Sequence, residues 1–158
     1  MKAHSKYLMF STCILASLVS NSVHAECSLT SLRDGSDMNI ESSFLDSEEA
    51  VTFLQTCENP YTEKYQQDQN LYEQGTQIYQ NSACVQCHGS TGKGQTAPSL
   101  VDGQWLYPEL KTDKGLFEII AGGSNGGMSK WHAQTSNNPQ MMSTDEILKI
   151  IAWIRKQE

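Results

Sequence analysis

An all-α fold is what the sequence predicts, and three observations carry the prediction. Apolar residues recur at helical spacing over residues 71–79, 116–120 and 147–154. Helix-start signals stand in front of the last two runs, Thr112 before one and Ser143-Thr144-Asp145-Glu146 before the other. No Val/Ile-rich strand precedes the paired cysteines Cys84 and Cys87, so the βαβ setting of a thioredoxin-like pair is missing.

Residues 1–25 read as a secretory signal: Lys2 and Lys6, an apolar stretch from Tyr7 to about Val19, and the small-residue site Val23-His24-Ala25, with cleavage expected after Ala25. The apolar run is too short to span a bilayer, and a retained anchor is the alternative. Export places the mature chain in the periplasm, with no membrane span after the signal. Removing Lys2 and Lys6 leaves nine Lys and Arg against eighteen Asp and Glu, a formal charge of −9. Such acidity argues against nucleic acid as a partner and suits docking onto a basic patch.

Residues 26–45 are rich in Ser, Asp and Asn and read as an irregular arm, with residues 46–158 as the folded domain. Asp46 with Glu49 resembles a capping box opening a helix through Thr56 that buries Val51, Phe53 or Leu54, and Asn59-Pro60 is expected to end it. One long amphipathic helix is predicted over residues 62–82. Gly75 inside it costs about 1 kcal/mol relative to alanine, which implies that another helix crosses there.

That helix leads into Cys84-Val85-Gln86-Cys87-His88, a C-x-x-C-H pentapeptide. Two thiols three residues apart on a helical turn can each add to a haem vinyl group, and the following imidazole then faces the iron. Cys84 and Cys87 are the expected covalent attachment points and His88 one axial ligand. A zinc site would need Cys27 and Cys57 as further ligands at a long, unpatterned separation. A disulfide inside the motif would have little room for unstrained geometry. With Cys13 lost in the signal, Cys27 and Cys57 remain as an even pair in an oxidising compartment and are expected to bond.

The glycine-dense stretch 89–94 lacks the P-loop order and reads as a loop wrapping the His88 side of the haem. The Pro98 carbonyl is placed to accept the Nδ1 proton of His88 and fix its tautomer. Trp105, Tyr107 and Pro108 form an aromatic cluster, with core filling and a hydrogen bond from Trp105 to a haem propionate as the two roles open to Trp105. Thr112 caps the next helix, and Gly122-Gly123 close it. The loop 124–142 must supply the second axial ligand. Met128, Met141, Met142 and His132 are the candidates, and Met128 is preferred because Gly126-Gly127 let the backbone approach the ring. In the terminal helix Ile147, Ile150, Ile151 and Ile154 form an apolar stripe. Its crossing at Gly75 would set Trp153 beside Tyr79.

Taken together, these features resemble the class I cytochromes c. Within that class, Glu58-Asn59-Pro60-Tyr61, Trp105-Leu106-Tyr107-Pro108, 112–117 (Thr-Asp-Lys-Gly-Leu-Phe), Gly127-Met128 and 145–155 are similar to the cytochrome c-L branch, the periplasmic electron acceptors of quinoprotein methanol dehydrogenases. The resemblance covers roughly Asp46 to Glu158. It implies helices packed around one covalently bound haem c, held through Cys84 and Cys87 with His88 and Met128 as axial iron ligands. It also implies electrons arriving singly from a pyrroloquinoline quinone (PQQ) enzyme. The sequence departs from the branch at Cys57, where a small residue is expected, and in ending right after the terminal helix, where family members often carry a tail. A lanthanide-dependent alcohol dehydrogenase is as good a donor as the calcium methanol enzyme.

The expected activity is therefore electron carriage between a PQQ methanol or alcohol dehydrogenase and a downstream cytochrome c or oxidase, without catalysis of its own. The alternatives are a general monohaem cytochrome serving a terminal oxidase, a haem peroxidase, which needs an open iron position, and a haem gas sensor.

Overall fold

Two helices that cross at a glycine set the frame. The computed structural model describes residues 27–158, so the predicted signal segment and its cleavage site lie outside the described residues. Helix α3 (Gln69–Asn81) and helix α6 (Thr144–Gln157) make the most extensive pairing between elements. Gly75 sits at the crossing: a Cβ there would lie 2.8 Å from the Lys149 carbonyl oxygen and would overlap the Tyr65 hydroxyl. The close approach lets Tyr79 stack on Trp153 with ring centroids 4.3 Å apart and planes 22° off parallel. Ile147, Ile150, Ile151 and Ile154 are buried along α6, as the stripe predicts.

Helix α5 (Asp113–Gly122) lies against α6 and carries Leu116 and Phe117 into the core. The predicted caps are present. Thr112 Oγ1 accepts from the Gly115 N–H at 3.0 Å, and Gly123 ends the helix at φ 73°. At α6 the Glu146 N–H donates to Ser143 Oγ (3.2 Å) and the Ser143 N–H to Glu146 Oε2 (3.0 Å).

Three expectations need correction. The helix predicted over 62–82 is two helices, α2 (Pro60–Lys64) and α3, because each half has its own cap: Asn59 accepts from the Tyr61 N–H and Asp68 from the Leu71 N–H. Asn59-Pro60 thus opens α2, with Pro at its first position. The preceding helix α1 (Glu48–Thr56) ends on Cys57 in the left-handed region at φ 62°. Between α2 and α3 the chain turns so that Tyr65 is fully buried, and Lys156 Nζ donates to its carbonyl at 2.9 Å.

The cap of α1 is Ser47, whose Oγ accepts from the Ala50 N–H, while Asp46 accepts the Asp145 N–H at 3.1 Å and joins α1 to the start of α6. Phe53 is the buried side chain, and Val51 is exposed. Finally, the arm expected to be irregular holds a short antiparallel ladder, β1 (Leu29–Thr30) with β2 (Asp37–Met38), followed by a 3-10 turn at Ser42–Phe44. Leu29 and Met38 point inward, and Glu118 of α5 accepts the Thr30 N–H at 2.7 Å.

The arm is also held covalently. Cys27 and Cys57 form the expected disulfide, with Cα atoms 5.0 Å apart and a separation of 30 positions along the chain. A loop of that length stabilises by about 3 to 4 kcal/mol through the entropy it removes from the unfolded chain. The pairing also removes both cysteines from any zinc tetrad.

Candidate functional site

The C-x-x-C-H segment forms a one-turn helix, α4 (Cys84–His88), that follows α3 after a break at Ser82 and Ala83. Gly89 ends it at φ 75°. Both thiols are free, Cys84 half-buried and Cys87 exposed, and burial pushes the Cys84 thiol pKa up. The following loop folds back beneath the motif: the Thr96 and Ala97 N–H groups both donate to the Cys87 carbonyl (3.0 and 2.9 Å), and Gly94 N–H donates to the His88 carbonyl (2.9 Å). Tyr79 donates its hydroxyl to the Gly89 carbonyl at 2.6 Å, coupling the loop to the helix crossing.

This fold-back brings the Pro98 carbonyl to 2.8 Å from His88 Nδ1. A carbonyl only accepts, so Nδ1 carries the proton and Nε2 is left with its lone pair free.

Cys84, Cys87, His88 and Pro98 border a cavity of about 340 Å³. Leu116, Ile119 and Ile120 of α5 and Ile150 and Ile154 of α6 supply apolar walls, and Trp105 and Tyr107 border it from the aromatic loop. Trp105 is half-buried, with the Arg155 guanidinium 5.7 Å from its ring centroid. Leu106 beside it is 73% exposed.

Of the four candidate distal ligands only Met128 borders this cavity. Met141 and Met142 line a separate groove with Trp131 and Glu146. His132 is fully buried elsewhere with both ring nitrogens engaged: Nδ1 accepts the Gln134 N–H at 3.2 Å, so Nε2 carries the proton and donates to Thr144 Oγ1 at 3.0 Å. Thr144 Oγ1 in turn donates to the Phe44 carbonyl at 3.2 Å. His132 thus ties the arm to α6.

Burial lowers the His132 pKa from 6.5 to about 4. The unfolded chain therefore takes up a proton at this position between those two values, while the folded chain does not. Stability is expected to be constant above pH 6.5 on this account and to fall by up to ~3 kcal/mol as pH drops to 4. Denaturant titrations at a series of pH values should show this slope, and His132→Gln should lack it.

The site contains a residue that no sequence pattern singles out. Arg33, in the turn between β1 and β2, donates from Nη2 to the Met128 carbonyl at 2.7 Å. The Ser124 N–H donates to the same oxygen at 3.0 Å.

The donor set fits a c-type haem. Two free thiols stand one helical turn apart, an imidazole offers an unprotonated nitrogen, a thioether borders the same cavity, and the walls between are apolar. Residues 70–154 match the family model described as cytochrome c oxidase, cbb3-type, subunit III. Helical fold and cavity together define a class I c-type cytochrome. Cytochrome c-L of Methylorubrum extorquens is 38% identical over 103 residues, 65% of this chain and 46% of that protein, so the chain spans about half the length of this curated relative. The crystal structure of cytochrome cL from Hyphomicrobium denitrificans superposes with a TM-score of 0.69 at 34% identity, covering 83% of this chain and 73% of that one. Cytochrome cL from Methylophaga aminisulfidivorans gives 0.67 at 32% identity, covering 82% and 79%.

The chain belongs to the cytochrome c-L family. Membership of this family implies one covalently attached haem c. Among the described residues no helix is long and apolar enough to cross a membrane.

Proposed function

We propose that the protein is a periplasmic acceptor of single electrons from a PQQ-dependent methanol or alcohol dehydrogenase, which it passes to a downstream cytochrome c or oxidase. In this reading Cys84 and Cys87 hold the haem, and His88 and Met128 are its axial ligands. The observation that carries the reading is that a single cavity is bordered by both thiols, by the free-Nε2 face of an anchored imidazole and by one methionine of the three in its loop.

The bound haem supplies the one-electron couple. The chain supplies the rest. The Pro98 carbonyl keeps the proton on Nδ1 of His88 and so keeps Nε2 available as a ligand. The aliphatic side chains of α5 and α6 exclude water from the cavity and lower the local dielectric. A thioether opposite an imidazole favours the reduced state relative to two nitrogens, giving a potential suited to accepting electrons. With His88 and Met128 both available to hold the iron, the bound group would take up an electron without exchange of a ligand. Residues 1–25 act as the export signal that brings the chain to the compartment where c-type haem is joined, with cleavage after Ala25.

Specificity for a quinoprotein donor is supported by membership of the cytochrome c-L family and by the acidic chain, which suits a basic docking face. The test is to mix purified oxidised protein with a PQQ alcohol dehydrogenase and its alcohol and to follow haem reduction. Rapid reduction that slows as ionic strength rises is expected. No reduction at any salt concentration removes this donor and leaves a general carrier serving an oxidase.

A further inference from the structure

We infer that Arg33 is a positioning residue for Met128, and that the N-terminal hairpin is a strap holding the distal loop at the cavity. The inference rests on the reading of Met128 as the second axial ligand. The loop around Met128 has little stiffness of its own. Gly126 and Gly127 precede it, with Gly127 at φ 101° and open space where a Cβ would stand. What fixes Met128 is its carbonyl, which accepts from Ser124 N–H and from the Arg33 guanidinium. Gly123 makes this possible: a Cβ there would lie 2.7 Å from the Met128 oxygen and 3.0 Å from Arg33 Nη2.

Arg33 is itself held firmly. Its turn is closed by Ser31 N–H to the Ser36 carbonyl and Gly35 N–H to the Ser31 carbonyl, both 2.8 Å. On the N-terminal side of that turn the Thr30 N–H donates to the buried Glu118, and further back the Cys27–Cys57 disulfide pins the strand to α1. A charged donor on an anchored hairpin therefore reaches 95 residues along the chain to the backbone of the ligand residue. An iron to thioether bond is readily displaced by stronger nitrogen ligands, so a restraint on the methionine backbone lowers the fraction of time the sixth position is open.

Imidazole added to the oxidised holoprotein measures that fraction, because it binds iron only when Met128 has left. A charge-assisted hydrogen bond is strong enough to shift such an opening equilibrium roughly tenfold. Arg33→Ala is expected to bind imidazole about tenfold more tightly than wild type, losing the far-red thioether band at correspondingly lower concentration. Arg33→Lys, which keeps a charged donor, should recover most of the difference. Asn59→Ala, which weakens the fold at the α2 cap by removing bonds to the Leu148 carbonyl and the Tyr61 N–H and none to this loop, should keep the wild-type affinity. Hydrogen exchange at the Ser124 amide, a readout independent of the haem, should accelerate in Arg33→Ala and not in Asn59→Ala.

Wild-type imidazole affinity in Arg33→Ala, with the band lost in Met128→Ala, overturns the strap alone. Equal tightening in Arg33→Ala and Asn59→Ala also overturns it, by showing only a loss of overall stability. Retention of the band in Met128→Ala overturns the ligand reading and the strap with it.

Discussion

Gly75→Ala is expected to destabilise the protein by at least ~3 kcal/mol and to lower its melting temperature by about 10 °C. In an exposed helix the same change stabilises by up to about 1 kcal/mol. Here the sign reverses because the new methyl would meet the Lys149 carbonyl at 2.8 Å as well as the Tyr65 hydroxyl. Tyr65 could rotate away only by leaving a fully buried site. The Lys149 carbonyl is helix backbone, so α3 and α6 must separate. Separation would open the Tyr79–Trp153 stack and, through Tyr79, release the Gly89 carbonyl at the end of α4. Gly35→Ala is the control. It sits at positive φ, unlike the helical Gly75, but has nothing within 4 Å of the added carbon, so it should cost only about 1 to 2 kcal/mol from backbone conformation. Thermal unfolding of both holoproteins decides the matter, and equal effects would remove the crossing as the reason for Gly75.

Met128→Ala is expected to abolish the far-red thioether band while leaving the haem covalently attached, and to lower the reduction potential by on the order of 0.2 V within the roughly 0.8 V range that axial ligands control. His132, Met141 and Met142 cannot substitute without rearrangement. Both nitrogens of His132 are engaged at a fully buried site, Met142 lies in a backbone bridge with His132, and Met141 faces the other groove. The vacated position should fill with water and bind carbon monoxide in the reduced state, which the wild type should resist. An unchanged potential and spectrum would transfer the ligand role to another residue.

Much of the local structure was legible because it is written in neighbouring residues. Thr112, the Ser143 and Glu146 box and Gly123 satisfy backbone groups within a few positions of themselves, so their pattern is visible along the chain. Pro98 could be matched to His88 because only ten residues separate them. Gly75 announced a crossing through its cost in a helix. The break at Tyr65 was hidden, since apolar periodicity runs on through residues 62–82 and only the separate caps at Asn59 and Asp68 divide it. Gly115 gave no signal either: a Cβ there would collide with the Glu109 backbone, a contact made by the turn preceding α5.

The sequence alone determined that two thiols and an imidazole share one helical turn, the helical class and the cysteine pairing, because each depends on residue types at fixed short spacing or on simple parity. Tertiary structure alone decided which methionine borders the cavity, that His132 is a buried tie, and that Arg33 reaches Met128. Those outcomes depend on contacts between segments far apart in the chain. No local pattern encodes such contacts until packing has brought the segments together.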